Sequence, residues 1–391
     1  MIANFMNSKE LQEQFDVYFV YRYSERYWEG AKTRIGDMSR CEGVKLLTEP
    51  DKNIFVTSSV RLIALLQKGI WAIAFLINKY YSIIKNAKTL QKVFSQYSPD
   101  IIHVNNGGYP AATSAQAAVI AAHRCGVKDI YYVVNNMALD YSHPLRWIDA
   151  FLDPFIKKNV TKFITGSNNA GIHLKKVLGL PNSKQITIRN GIVRRYNKMS
   201  KAEFKKAYSI PKEKVIFSTI ANLEERKGHK YLLQAIKDLK DENQLSNYCF
   251  ILEGKGPEEA FIRDYIINNG LSNYVKLISV PSIYDLYSAT DVTILPSIAN
   301  EDFPNIIIES MGMGIPVIGT RIAGIPEQII PEETGLLIEP ADRVALKKAI
   351  ERLGTDSEFR RECGKRAQEV FKANYTASRS INNYISLYNK E

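Results

Sequence analysis

Residues Pro296–Ala323 read PSIANEDFPNIIIESMGMGIPVIGTRIA. Just ahead of them, Val292–Leu295 (VTIL) is a short apolar run that reads as a buried strand, and Phe303-Pro304-Asn305 opens a helical segment. Gly312-x-Gly314-Ile315-Pro316-Val317 then leads into a second strand, Val317–Thr320. Strand, loop, helix and strand in that order make a βα unit of a parallel sheet, in which ligands meet the loops at the carboxyl ends of strands. A helix that begins there offers unpaired backbone N–H groups and the positive end of its dipole, a setting for a diphosphate or an anionic leaving group. Glu301 lies in the loop before the helix. Glu309 lies about one and a half turns inside it, where a carboxylate takes two vicinal hydroxyls such as those of a ribose.

The same alternation extends in both directions. Candidate strands are Asp16–Tyr21, Asp100–Val104, Asp129–Val134, Lys162–Thr165 and Gln185–Ile188, then Val215–Ala221, Tyr248–Leu252, Val275–Ile278, Val292–Leu295, Val317–Thr320 and Gly335–Ile338. A polar, basic stretch near Val193 to Ser200 separates the two sets. The expected organisation is an α/β chain of two doubly wound domains facing across a cleft: 1–195, 196–372, and a carboxyl-terminal helix, 373–391, returning to the first domain. The 391 residues leave room for two cores. Cys41, Cys125, Cys249 and Cys363 stand far apart with no CxxC, which argues against a zinc site and for a reducing compartment.

Net charge is +11, and it is unevenly placed. Residues 1–200 hold 27 basic and 14 acidic side chains, a balance of +13; residues 201–391 hold 25 and 27, a balance of −2. Between Lys52 and Pro99, Lys52, Arg61, Lys68, Lys79, Lys85, Lys88 and Lys92 meet no acid. The longest uncharged run there, Gly69–Asn78, is too short to span a bilayer, which takes about 20 residues. At about 100° per residue Arg61, Lys68 and Lys79 point one way and Lys85, Lys88 and Lys92 another, so two helices or one bent one are expected. Residues 52–99 are read as lying on an anionic membrane surface, with a core helix carrying solvated lysines as the alternative. MIANFMNSKELQEQF lacks the ordered regions of a secretory signal, and the expected place is the cytoplasm, at the inner face of the membrane.

The Pro296–Ala323 block resembles the signature of family 4 retaining glycosyltransferases, which have the GT-B fold of two Rossmann-like domains. The resemblance covers most of the chain from Asp100 onward. It implies that Glu309 binds the nucleotide ribose, that Glu301 binds hydroxyls of the donor sugar, and that backbone amides of Phe303, Pro304-Asn305 and Ile306 meet sugar and phosphate. It finds a second match in Ile220–Lys230, IANLEERKGHK: Lys227-Gly228 stands as in the family, and Lys227 would pair with the diphosphate and offset charge on the leaving group. Asn222 occupies the position of the family's arginine, and Arg226 is the nearest replacement.

Further matches follow the other strands. Gly254 begins a Gly-x-Gly-Pro turn, and Val280 falls where the base rests. In the first half, His103, Asn105, Gly107 and Gly108 stand at the acceptor side. Asn135 falls where the family usually has a histidine close to the transferred sugar, and it hydrogen-bonds but exchanges no proton near neutral pH. Ser167 and Asn190-Gly191-Ile192 also resemble positions at cleft and hinge. The family's opening strand and glycine-rich loop have no counterpart ahead of Ser8–Phe15, which reads as the following helix: the start is truncated or mis-assigned, or the loop is missing. No Asp-x-Asp occurs, and the resemblance implies metal-independent chemistry with no cofactor.

The function implied is transfer of a sugar, with retention, from a nucleotide-diphosphate donor (a UDP-sugar is favoured) to a lipid-linked or saccharide acceptor in cell-surface polysaccharide or lipopolysaccharide synthesis. Two alternatives stay open: a GT-B sugar-nucleotide epimerase, and a non-enzymatic module binding membrane or another polyanion. No RRM, KH or zinc-finger pattern supports nucleic acid as a partner.

Overall fold

The computed structural model describes residues 2–48, 61–110, 112–143 and 146–390. The chain divides into two compact units: Ile2–Ile188 with Asn382–Glu391, and Arg189–Ile381. The division falls between Ile188 and Arg189, whereas the polar stretch that suggested it lies a few residues later. The reason is local. Ile192 N–H donates to Tyr375 O at 3.0 Å and Ala377 N–H to Ile192 O at 3.0 Å, so Asn190–Ile192 already pairs with the segment leading into the helix Ala377–Asn389.

Two parallel sheets make up the first unit: β1 (Phe19–Arg22) with β2 (Cys41–Val44), and β3 (Ile101–Asn106), β4 (Asp129–Val134), β5 (Lys162–Thr165) and β6 (Gln185–Thr187) in that order. The strand β2, CEGV, is too short and polar to be read from sequence. Asn86, almost wholly buried, holds the chain after it by accepting from Leu47 N–H at 2.8 Å and donating to Leu47 O at 3.0 Å. The amino-terminal segment forms two short helices, Ile2–Met6 and Lys9–Gln12, in place of the single helix expected over Ser8–Phe15; Ser8 caps the second. Residues 382–390 pack in this unit, where Tyr131 donates to Leu387 O at 3.2 Å and Asn389 to Gln14 Oε1 at 3.1 Å.

The basic segment is one helix, Arg61–Tyr97, of 37 residues. Lys52 lies outside the described residues, as do the side chains of Arg61 and Lys68. Lys79 corrects the membrane reading of its own position. It is buried and its Nζ meets Asp149 Oδ1 at 2.6 Å, because the face it shares with Phe75, Ile83 and Leu90 is the core face. No helix among the described residues is long and apolar enough to cross a membrane.

In the second unit six parallel strands, β7 (Val215–Ile220), β8 (Tyr248–Glu253), β9 (Val275–Ile278), β10 (Val292–Leu295), β11 (Val317–Thr320) and β12 (Gly335–Ile338), are ordered β9-β8-β7-β10-β11-β12. Chain direction across the sheet reverses between β7 and β10. At such a switch point successive connections run to opposite faces of the sheet, and ligands of open α/β sheets bind at the carboxyl ends of the two central strands. The core beneath is aliphatic and aromatic, with Phe217, Phe250, Leu232, Ile236 and Ile350 fully buried.

Candidate functional site

The loops after β7 and β10 are the two that the switch point brings together. Gly228 makes their contact close: with φ of 71°, its backbone lies so near Pro296 O that an added Cβ would stand 1.9 Å from it. Only glycine is accommodated there. Ile298 N–H donates to Arg226 O at 2.8 Å, and Arg226 Nη1 donates to Asn300 O at 3.1 Å.

These bonds place Lys227 Nζ in an ion pair with Glu301 Oε1. Ser297 Oγ donates to the same oxygen at 3.0 Å, and Arg226 Nη1 stands 3.5 Å from it. None of the three uses Oε2. Arg226 is itself held by its Nε on Glu224 Oε2 at 2.6 Å, and Asn222 Nδ2 reaches Glu224 Oε1 at 3.3 Å. Glu301 is buried to 7% exposure, so its charge depends on these donors. His229, next after Gly228, is buried as well; burial first, and the charge of Lys227 second, push its pKa down to about 4.

The helix Asn305–Gly312 has Pro304 at its N-cap position. Phe303 has its side chain in the core, edge-on to Tyr375 with centroids 5.7 Å apart, which leaves its backbone as the group that can meet a ligand. Ile306 packs against the same core, and Asn305 is exposed, accepting from Asn190 Nδ2 at 3.3 Å. Farther along, Glu309 accepts from the buried Tyr287 hydroxyl at 2.8 Å. Burial raises the Glu309 pKa, while the Tyr287 bond and the Arg195 charge pull it back.

Asn222, Gly254 and Val280 follow β7, β8 and β9, three neighbours in the sheet. Gly254 has φ of 151° with Ala221 O where its Cβ would be, and Val280 packs against the cluster of Phe204, Ile251 and Leu286. The structure thus joins Glu301, Lys227 and Arg226 directly, with Asn222 linked through Glu224. Sequence reasoning missed Ser297, Glu224 and Tyr287. Ser297 lay in the decisive block as a plain loop serine; Tyr287 carried no signal, since its partner is 22 residues away on another helix.

Asn135 and Asn105 in the first unit come together, because β3 and β4 are paired in register. Asn135 Nδ2 donates to Asn105 Oδ1 at 2.7 Å and to Asn106 O at 2.7 Å. Asn106, buried, supports the Gly107-Gly108 loop by donating to Gly108 O at 2.8 Å and accepting from Gly107 N–H at 2.9 Å. His103, on the same strand as Asn105, is held by contacts within its own unit. Its Nδ1 bonds the Tyr388 hydroxyl, its ring packs edge-on against Phe5, and burial holds its pKa at about 4. Ser167 is a helix cap, accepting from Ala170 N–H at 3.0 Å. Among the described residues no three His, Cys, Asp or Glu side chains gather as a metal site.

The chain is similar to known proteins in sequence and in fold. The model of the family "Glycosyl transferases group 1" matches residues 200–370. The N-acetyl-alpha-D-glucosaminyl L-malate synthase of Bacillus anthracis is 28% identical over 227 residues, 58% of this chain and 58% of that protein. The capsular polysaccharide biosynthesis glycosyltransferase CapM of Staphylococcus aureus is 25% identical over 246 residues, 60% of each. The matched region therefore spans under two thirds of these relatives. Among solved structures, Anabaena Alr3699/HepE in complex with UDP and glucose superposes with a TM-score of 0.74 at 15% identity, covering 100% of this chain and 95% of that one. The fold is accordingly GT-B, and residues 200–370 of this chain are a domain of the glycosyl transferases group 1 family.

Proposed function

We propose that the protein is a retaining, metal-independent glycosyltransferase that moves a sugar from a nucleotide diphosphate, UDP in preference to GDP, to a lipid-linked or saccharide acceptor at the cytoplasmic membrane face. The observation that carries the reading is the meeting of Lys227, Arg226 and Ser297 on one oxygen of Glu301 at the sheet's switch point. Without a donor the cation and the carboxylate satisfy one another. With a donor, Lys227 turns to the diphosphate and meets the charge that develops as the glycosidic bond breaks, while Glu301, its Oε2 unused by these bonds, takes hydroxyls of the sugar.

The helix N-terminus at Asn305 adds its amides to the phosphate, and Glu309, steadied by Tyr287, takes the ribose. In this reading the leaving phosphate accepts the acceptor's proton and attack comes on the face the nucleotide leaves, which retains configuration. Asn135 serves as a hydrogen-bonding partner for the sugar and exchanges no proton. The names of the relatives support the substrate class: CapM belongs to capsular polysaccharide synthesis, and the Anabaena protein holds UDP and glucose.

A thermal-shift screen of UDP, GDP and ADP, followed by transfer assays with the matching sugars, tests the reading. Stabilisation by UDP with a loss of transfer in Glu301→Ala supports it. Full transfer activity in that variant contradicts the site, and conversion of a UDP-sugar to its epimer without acceptor contradicts the reaction.

A further inference from the structure

Large apolar side chains on solvent-facing helix surfaces are rare in groups, and the helix Arg61–Tyr97 carries a row of them. Ile70, Ile73, Ile77, Tyr81 and Ile84 are between 47% and 68% exposed. At about 100° per residue they fall within an arc of roughly 80°, on the side opposite Lys79 and the core. Beyond Ile84 the same side continues as Lys85, Lys88 and Lys92, all exposed, with Lys85 Nζ 5.6 Å from the Tyr81 ring centre. No Asp or Glu occurs anywhere in the helix.

The neighbouring turn extends the apolar surface. Tyr80, on the flank of the row, donates its hydroxyl to Ile148 O at 2.8 Å, and Lys79 pairs with Asp149. These two bonds fix the 3₁₀ turn Arg146–Phe151 beside the helix, and that turn exposes Trp147 (52%) and Phe151 (73%). Trp147 and Phe151 have no place in the donor chemistry above.

We propose that this face docks on the surface of an anionic bilayer. Ile70, Ile73 and Ile77, with Trp147 and Phe151, enter the headgroup boundary, while Lys85, Lys88 and Lys92 lie on lipid phosphates. The order of side chains selects that occupant. An apolar row running into cations, with no carboxylate on the helix, complements a surface that is apolar below and negative above. A second copy packed in parallel across the same row would stack the three lysines on their equivalents with nothing on the helix to neutralise them. The inference deepens the reading above by giving a lipid-linked acceptor's enzyme its means of reaching the bilayer, and it replaces the lysine set suggested by sequence, since Lys79 is committed to the core.

The experiment is flotation of the full chain with phosphatidylglycerol and with phosphatidylcholine vesicles. The wild type floats with the former. Ile73→Glu/Ile77→Glu loses about tenfold or more of the bound fraction with an unchanged melting temperature, as exposed positions allow, and Lys85→Glu/Lys88→Glu loses the preference for phosphatidylglycerol. Stabilisation by UDP, measured on the same samples, stays as in the wild type and so reports on the donor reading separately. A wild type that ignores phosphatidylglycerol vesicles, or variants that float like it, overturns the proposal. So does sedimentation showing a wild-type dimer that Ile73→Glu/Ile77→Glu turns into a monomer, which would assign the face to a second copy.

Discussion

Lys227 and Glu301 form an ion pair between the loops after β7 and β10, the two strands at which the six-stranded sheet reverses direction. The residues are 74 positions apart in sequence. Their meeting is a consequence of topology, since β7 and β10 are hydrogen-bonded neighbours.

Removing the cation strands a buried carboxylate. Lys227→Met leaves Glu301 with Ser297 at 3.0 Å and Arg226 at 3.5 Å, and is expected to destabilise the fold by about 2 kcal/mol while lowering affinity for UDP more than for uridine. Urea unfolding and titration of both ligands check the two parts. Equal losses for UDP and uridine would remove Lys227 from the phosphate.

Glu309 works against the stability of its own domain. Its folded pKa is raised by burial, so the folded state holds its proton more tightly than the unfolded state does. The sign follows: the stability this carboxyl contributes is present at low pH and is lost as pH rises through the ordinary carboxylate range and beyond. Glu309→Gln is therefore expected to melt higher than wild type at pH 7, with the difference shrinking toward pH 4, and yet to bind UDP about tenfold more weakly. Melting curves across that range, with UDP titrations at pH 7, decide it.

The buried histidines carry the opposite sign. With His103 and His229 both at about 4, the unfolded chain binds more protons between that value and the ordinary 6.5. Stability is full above pH 6.5 and falls toward pH 4, by up to about 3 kcal/mol for each histidine. A variant with His229→Leu should lose less stability on acidification than the wild type. An unchanged acid limb would place the titration elsewhere.

At Gly228 a side chain meets both a left-handed backbone and the Pro296 carbonyl. Gly228→Ala should cost about 2 kcal/mol or more, because the turn must open, and Lys227 moves with it. Chemical denaturation together with UDP binding measures this, and a variant as stable as wild type would mean that the loop has room the contact denies.

Period and composition carried much of the architecture to the surface of the sequence. Each strand of the second unit is a short, largely apolar run, and the Glu301 to Glu309 spacing straddles a helix start that the structure places at Asn305. Other features depend on who meets whom. Tyr287 has no mark of its own until the fold sets its hydroxyl on Glu309, and Ser297 is an ordinary loop serine until Glu301 is folded against it. Lys79 shows the converse. Its sequence neighbours hold no acid, so they set it facing an anionic membrane surface or, failing that, solvent, but the buried carboxylate of Asp149, seventy positions on, meets it in the core. His103 is likewise placed by a partner invisible in its own stretch of sequence, since Tyr388 comes from the far end of the chain.

The central claim is that a nucleoside diphosphate is held at the switch point by Lys227 and Glu309. Calorimetric titration of the full chain with UDP tests it most directly. The account predicts saturable binding that weakens about tenfold in Glu309→Gln and more for UDP than for uridine in Lys227→Met. Absence of binding by any nucleoside diphosphate, or the same affinity in both variants as in the wild type, would contradict it.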